Sequence, residues 1–419
     1  MSEVSVPEGW SVNKIGNICH TIYRYPTFYG METYATGIPV LRGEHILTNG
    51  KLSLDWYDYT YVSEEFSNQY PKTKLEIGDV VMAVRGTVGK FAKVGKSHIN
   101  AQISPNLIRL APDTEQVDSD FFFQSLFSIK DNLLKTNVSA TGVPALNGSD
   151  IKESSINYPP LPEQQKIASI LTSVDDVIEK TQSQINKLQD LKKGTMNELL
   201  TRGIGHTEFV DSPVGKIPKG WEVNQLGDLG RFKNGLNKGK EDFGFGTLFV
   251  NISDAYPERL QCNSLSRLNA NERDLKEYGL TNGDIIFVRS SVKPEGVGYP
   301  TLFRGHDEEV VYCGFMIRYR FDKDILYPEF LVYALKQERF RREVMKVATI
   351  SANTNINQDA LSKLFISIPT QEEQQKISSI LSSIDKTIEE NQRKLEQAKF
   401  LKKSLMNDLL TGKVRVPLQ

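Results

Sequence analysis

The chain has 419 residues, too many for one ordinary core, so two domains of roughly 150 residues with connecting elements are expected. No apolar run reaches the roughly 20 residues that span a bilayer, and the N-terminal MSEVSVPEGW lacks the basic and apolar segments of a signal peptide, which points to a cytoplasmic protein without membrane contact. Its 51 Lys and Arg against 52 Asp and Glu give a formal net charge of −1.

From the N-terminus, residues 1–157 read as a globular α+β domain. The β-rich run GDVVMAV at Gly78 sits among turn-forming Gly, Asn and Asp residues, and FFFQSLF at Phe121 is amphipathic. Residues 158–206 follow as a long helix, residues 207–365 as a second α+β domain with GDIIFVR and FLVYALK, and residues 366–419 as a second long helix and tail. The first globular segment holds 14 basic and 17 acidic side chains and the second 22 of each, so a nucleic-acid face would have to be a local patch or be completed by a partner.

This order is an internal repeat. EQQKIASILTSVDDVIEK at Glu163 recurs as EQQKISSILSSIDKTIEE at Glu373, and the match runs on through LKKGTMNELLT into LKKSLMNDLLT. Fainter echoes precede each helix: PEGWSVNKIGNI at Pro7 with PKGWEVNQLGDL at Pro218, and LEIGDVVMAVRG at Leu75 with LTNGDIIFVRSS at Leu280. Similarity is weakest between Arg24–Thr36 and Gly235–Phe245, where two different recognition loops would have to differ.

Ile167, Leu171, Val174, Ile178, Thr181, Ile185 and Leu188 follow the alternating spacing of a coiled-coil seam, and Ile377, Leu381, Ile384, Ile388, Asn391 and Leu395 repeat it. From Glu163 to Leu200 a helix would run about 57 Å. Thr181 and Asn391 interrupt the two seams at equivalent positions. In an antiparallel pair they would meet and fix register; alternatively, Thr181 is tolerated on a partly exposed face.

Motifs of catalysis and metal binding are missed rather than matched. Cys19, Cys262 and Cys313 and the five histidines are scattered, without the spacing of a zinc site or a disulfide framework. GKFAKVGKS at Gly89 has one residue too many for a phosphate loop, Asn157-Tyr158-Pro159-Pro160 has the letters of an amino-methyltransferase motif in the wrong order, and the glycines of Phe243–Gly246 do not make an S-adenosylmethionine loop. Asp79 and Asp284, equivalent in the repeat, have the setting of turn aspartates rather than a nuclease pair.

The duplicated EQQKI…LLT helices, the VGKIPKGWEV segment at Val214 and the paired GD-strand motifs closely resemble Type I restriction-modification specificity subunits, over nearly the whole chain. The resemblance implies two target-recognition domains separated by two long antiparallel coiled-coil helices in a pseudo-two-fold repeat. It implies double-stranded DNA and two modification subunits as partners, with restriction subunits in the full assembly. No cofactor is expected on this chain, which would be non-catalytic; S-adenosylmethionine, ATP and Mg are expected on the partners.

Base reading requires Arg, Lys, Asn or Gln in groove-facing loops, and phosphate contacts require positive charge. The candidates are Tyr23, Arg24, Arg42, Arg85, Lys90 and Lys93 in the first domain and Lys233, Asn234, Lys238, Arg289 and Lys293 in the second. Arg339-Phe340-Arg341-Arg342 is the densest basic cluster and fits phosphate or partner binding equally. Two other readings stay open: a scaffold whose globular domains bind protein, which suits the near-zero charge, and a DNA-modifying enzyme, which lacks the cofactor motifs.

Overall fold

Val80–Ala83 and Ile285–Val288 are apolar at every position, the pattern of a strand covered on both faces. The computed structural model, which describes residues 6–25, 32–137, 145–255, 260 and 262–417, places each inside a four-stranded sheet. The chain divides into two compact α+β units, Met1–Ser183 with Gln392–Gln419, and Gln184–Asn391. These limits fall inside the two long helices rather than at their ends, because each helix packs half of its seam in each unit.

In the first unit the strands are β1 (Cys19–Tyr23), β2 (Ile38–Leu41), β3 (Thr60–Val62), β4 (Val80–Ala83), β5 (Phe91–Lys93), β6 (Gln102–Ile103) and β7 (Leu107–Pro112), followed by α1 (Ser119–Asn137) and the first half of α2 (Leu161–Arg202). One sheet has the antiparallel order β1-β7-β4-β5, and a second has the order β3-β2-β6 with β2 and β6 parallel. Val80 and Met82 join Phe121 and Phe122 of α1 and Ile167 and Leu171 of α2 in one core, while Val81 and Ala83 join Leu41 and Ile103 in another. Alternate side chains of β4 thus serve two cores, which is why its sequence shows no polar alternation.

The second unit repeats this plan with β8 (Gly230–Asn234), β9 (Phe243–Val250), β10 (Ser266–Leu268), β11 (Ile285–Val288), β12 (Pro300–Leu302), β13 (Val310–Tyr312) and β14 (Met316–Phe321), then α3 (Pro328–Lys336), α4 (Glu338–Val347) and α5 (Gln371–Leu409). Its sheets include β8-β14-β11-β12 and β10-β9-β13, the latter again with one parallel pair. Ile285 and Phe287 face Phe330, Leu331, Ile377 and Leu381, and Ile286 and Val288 face Val250 and Val311. No described helix is long and apolar enough to cross a membrane.

Within each unit the halves of α2 and α5 run antiparallel. Asp175 meets Lys402 at 2.7 Å while Glu163 meets Arg415, and in the second unit Lys192 meets Asp385 while Glu373 accepts from the Ile204 N–H. On the seam, Ile167, Leu171, Thr181, Ile185, Ile377, Leu381, Ile388 and Leu395 are buried, and Val174, Ile178, Leu188, Ile384 and Asn391 are half-buried. Carried along each unit's own helix pair, these ion pairs set Thr181 level with the Leu395 turn and Asn391 level with the Ile185 turn. Each polar side chain bonds within its helix, the Thr181 hydroxyl to the Val177 carbonyl and the Asn391 amide to the Thr387 carbonyl.

The EQQKI motif explains how a helix is fastened to its globular part. Gln164 is fully buried; its amide nitrogen donates to the Pro159 and Gln116 carbonyls at 2.8 and 3.1 Å, and its oxygen accepts from the Asp118 N–H at 2.8 Å. Gln374 repeats all three bonds, to the Pro369 and Ile325 carbonyls and from the Tyr327 N–H. Next to it, Glu163 takes both arms of Arg415 at 2.7 Å, and Glu373 takes His206, the Ile204 N–H and the Trp221 indole N–H. The returning segments turn at Gly203 (φ +66) and Gly412 (φ +71), where a Cβ would strike Glu373 and Pro7 respectively.

A third tie lies farther along each helix. Asp175 accepts from Gln124 of α1 and Lys402 of α5, and its repeat Asp385 accepts from the Tyr333 hydroxyl of α3 at 2.6 Å and Lys192 of α2. Replacing Gln164 or Gln374 by Leu keeps the volume but strips two carbonyls and one N–H of their partners. Each substitution should cost about 3 kcal/mol of unfolding free energy in urea titrations, against under about 1 kcal/mol for the exposed neighbour Gln165→Leu.

Candidate nucleic-acid interface

In the first unit the candidate residues gather around the ends of β1, β4 and β5. Tyr23 closes β1, and Arg24 beyond it donates from Nε to the Pro105 carbonyl at 2.9 Å. Burial, and then the charge of Arg85, lower the pKa of Arg24, so these two cations share one locality. Arg85 follows β4 and is exposed, with its backbone N–H on the Asn106 carbonyl. Lys90 is half-buried on the turn that starts at Thr87.

Two further candidates have partners inside the unit. Lys93 is ion-paired with Asp120, and Arg42 donates to the Thr60 hydroxyl at 3.0 Å with Glu44 at 3.8 Å. Of the Arg24–Thr36 loop that was expected to differ between repeats, residues 26–31 lie outside the described residues.

In the second unit Lys233 pairs with Glu277 at 3.1 Å and lies 4.8 Å from the Tyr278 ring centre. Asn234, at the end of β8, lies against the Gln358 amide. Lys238 is held by Asp274 at 2.8 Å, a hydrogen bond that raises the lysine pKa and lowers that of the carboxylate. Arg289 is half-buried and donates to the Gly314 carbonyl at 3.3 Å, whereas Lys293 stands exposed at the start of a short turn.

The Arg339–Arg342 cluster does not form one basic face. Arg341 donates to the Glu295, Val297 and Gly298 carbonyls and so braces the turn that carries Lys293, and Arg339 lies against Gly215. Missed by the sequence reading are Arg231, Arg318 and Arg320, which the β8–β14 pairing brings beside Lys233. The alternation of Arg318 and Arg320 in MIRYRF was the available signal that both lie on one face of a strand.

The aspartates of the GD motifs are structural. Asp79 accepts from the Glu76 N–H and from Arg109 Nε, each at 2.7 Å, and Asp284 accepts from the Thr281 N–H at 2.7 Å and from two nitrogens of Arg320. Gly89–Ser97 forms a turn, strand β5 and a second short turn, and Asn157–Tyr158 belong to a strand paired with Ser11–Lys14. Among the described residues, no group of three or more His, Cys, Asp and Glu could hold a metal ion.

Comparison with known proteins agrees with the duplicated plan. The family model of the Type I restriction modification DNA specificity domain matches twice, at residues 7–190 and 218–399. The specificity subunit of the Type I restriction enzyme MjaVIII from Methanocaldococcus jannaschii is 28% identical over 440 residues, covering 99% of this chain and 95% of the relative. The EcoKI specificity subunit of Escherichia coli K12 is 25% identical over 402 residues, covering 90% and 82%. Among solved structures, the Type I restriction-modification S subunit from M. genitalium aligns with a TM-score of 0.60 at 14% identity over 100% of this chain and 99% of that one. A chain from a study of complex assembly and conformational transition in the type I R-M system aligns at 0.56 and 17% identity over 98% and 100%, and both likenesses concern the fold. With both repeats matched in order and the whole plan shared, the chain belongs to the Type I restriction-modification DNA specificity subunit family.

Proposed function

We propose that this chain is a non-catalytic reader of a bipartite, non-palindromic DNA target, each unit reading one half-site. The observation that carries the reading is a repeated framework with unrepeated cations. The two units share sheet order, buried glutamines and carboxylate ties, yet Arg24, Arg42 and Lys90 in the first and Lys238 and Lys293 in the second arise from dissimilar segments. Equal frameworks bearing unequal loops suit two half-sites of different sequence.

Paired reading units work when their half-sites lie about one helical turn, roughly 10 bp, apart, which leaves an unread gap of about 5 to 8 bp if each half spans a few base pairs. In this reading two methyltransferase subunits dock on the long helices and bring S-adenosylmethionine, while restriction subunits bring ATP and Mg. The assembly works in the cytoplasm. Base-edge contacts then fall to Arg85 and Lys293, the exposed cations, before Lys93 and Lys238, which hold carboxylates. The near balance of charge and these internal pairs favour a protein-binding scaffold as the second reading.

Co-expression with a modification subunit, followed by single-molecule sequencing of adenine methylation, should reveal one gapped asymmetric motif, with one half changing when residues 1–157 are exchanged. A complex that assembles yet leaves no motif favours the scaffold. In binding assays on the target duplex, Arg85→Ala should cost about 1–3 kcal/mol, concentrated at one base pair if it reads a base, and Lys93→Ala less than about 0.5 kcal/mol.

A further inference from the structure

Strands β8 and β14 of the second unit pair antiparallel with Arg231 opposite Arg320 and Lys233 opposite Arg318. Residues two apart on a strand share a face, so four cations converge on one side of this pair. They line a cleft of about 470 Å³ with Asp322 at its edge. Like charges placed opposite one another across a ladder repel unless something neutralises them.

Among the described residues, neutralisation within the unit is incomplete. Asp284 takes Arg320 and Glu277 takes Lys233. Arg318 is 9% exposed; its Nη1 donates to the Gly279 and Glu277 carbonyls, but its buried Nε has no partner among the described residues. Arg231 is exposed and forms no ion pair among the described residues. A buried guanidinium N–H without an acceptor is rare in folded proteins and calls for an explanation.

The first unit shows what is different here. Arg109 occupies the position of Arg318 in the repeat: it stands opposite Val81 of β4 as Arg318 stands opposite Ile286 of β11. Its Nε is satisfied by Asp79, its other nitrogens reach Glu76 and the Lys72 carbonyl, and strand β1 supplies no Arg or Lys. In the second unit the equivalent carboxylate, Asp284, turns to Arg320 instead, leaving the Arg318 Nε without a partner among the described residues. We infer that this cleft is a binding site for a phosphoryl oxyanion, which accepts from Arg318 Nε and is clamped by Arg231.

A phosphoryl group fits because charge-assisted hydrogen bonds to guanidinium are short, strong and directional. Its source is either a backbone phosphate of DNA, which rests on the function proposed above, or a free phosphate anion. Two variants of the full chain, purified with its modification subunit, separate these. Arg231→Gln removes an exposed charge, and Arg318→Lys keeps the charge but removes the Nε donor.

With inorganic phosphate as the probe, the wild-type complex should melt at a higher temperature in phosphate than in chloride of equal ionic strength, and both variants should lose that difference while melting normally in chloride. With the gapped duplex as the probe, Arg231→Gln should weaken binding about five- to tenfold for all sequences alike and reduce the salt slope by about one. Responses in both arms support the site and assign it to the DNA backbone; a response to phosphate alone supports the site and assigns it to a free anion. Failure of the wild type to bind any gapped duplex, with the phosphate effect intact, leaves the site standing and removes the DNA reading. Unchanged behaviour of both variants in both arms overturns the site.

Discussion

A glutamine buried in the first turn of each long helix holds the rest of this architecture in place. Gln164 and Gln374 each satisfy two backbone carbonyls and one N–H from the segments that lead into and lie beside the helix. An amide is the side chain that can do this, because it donates twice and accepts in one plane. Those bonds fasten the start of the helix to its globular part, and the adjoining Glu163 and Glu373 then capture the segment that follows the other helix. Asp175 and Asp385 add a third point by joining each helix to its partner and to the globular part. Three ties along one helix restrain its tilt and its rotation together, whereas an apolar seam alone resists sliding poorly.

The same ties account for much of the charge. A chain with a net charge of −1 looks unsuited to DNA, yet many of its ions are engaged in intramolecular pairs that determine shape, such as Arg415 with Glu163 and Lys192 with Asp385. What matters for a polyanion is the small remainder that is exposed and without an ion pair among the described residues, such as Arg85, Arg231 and Lys293. Net charge therefore understates the local field that a phosphate backbone would meet.

Duplication followed by divergence is visible at single hydrogen bonds. Trp221 donates its indole N–H to Glu373, while the equivalent Trp10 has a buried indole N–H without a partner among the described residues and Glu163 instead takes Arg415 on both oxygens. Likewise Asp79 secures Arg109, whereas Asp284 turns to Arg320. The framework tolerates such exchanges because the apolar cores around β4 and β11 carry the packing independently.

The repeat, the two long helices and the GD strands were legible in the sequence, because each is expressed as spacing along a continuous segment. The turn role of Asp79 and Asp284 was legible for the same reason: it is set within four residues. The level of Thr181 against α5 was not, since register depends on ion pairs such as Asp175–Lys402 between residues far apart in the chain. Nor could the sequence separate an exposed Arg85 from a Lys93 bound to Asp120, or place Arg231 beside Arg320. Composition and periodicity by themselves determined which elements form and that they form twice. Only the tertiary structure decided which cations stay free, because the carboxylate or carbonyl that takes each one is delivered by another strand or helix.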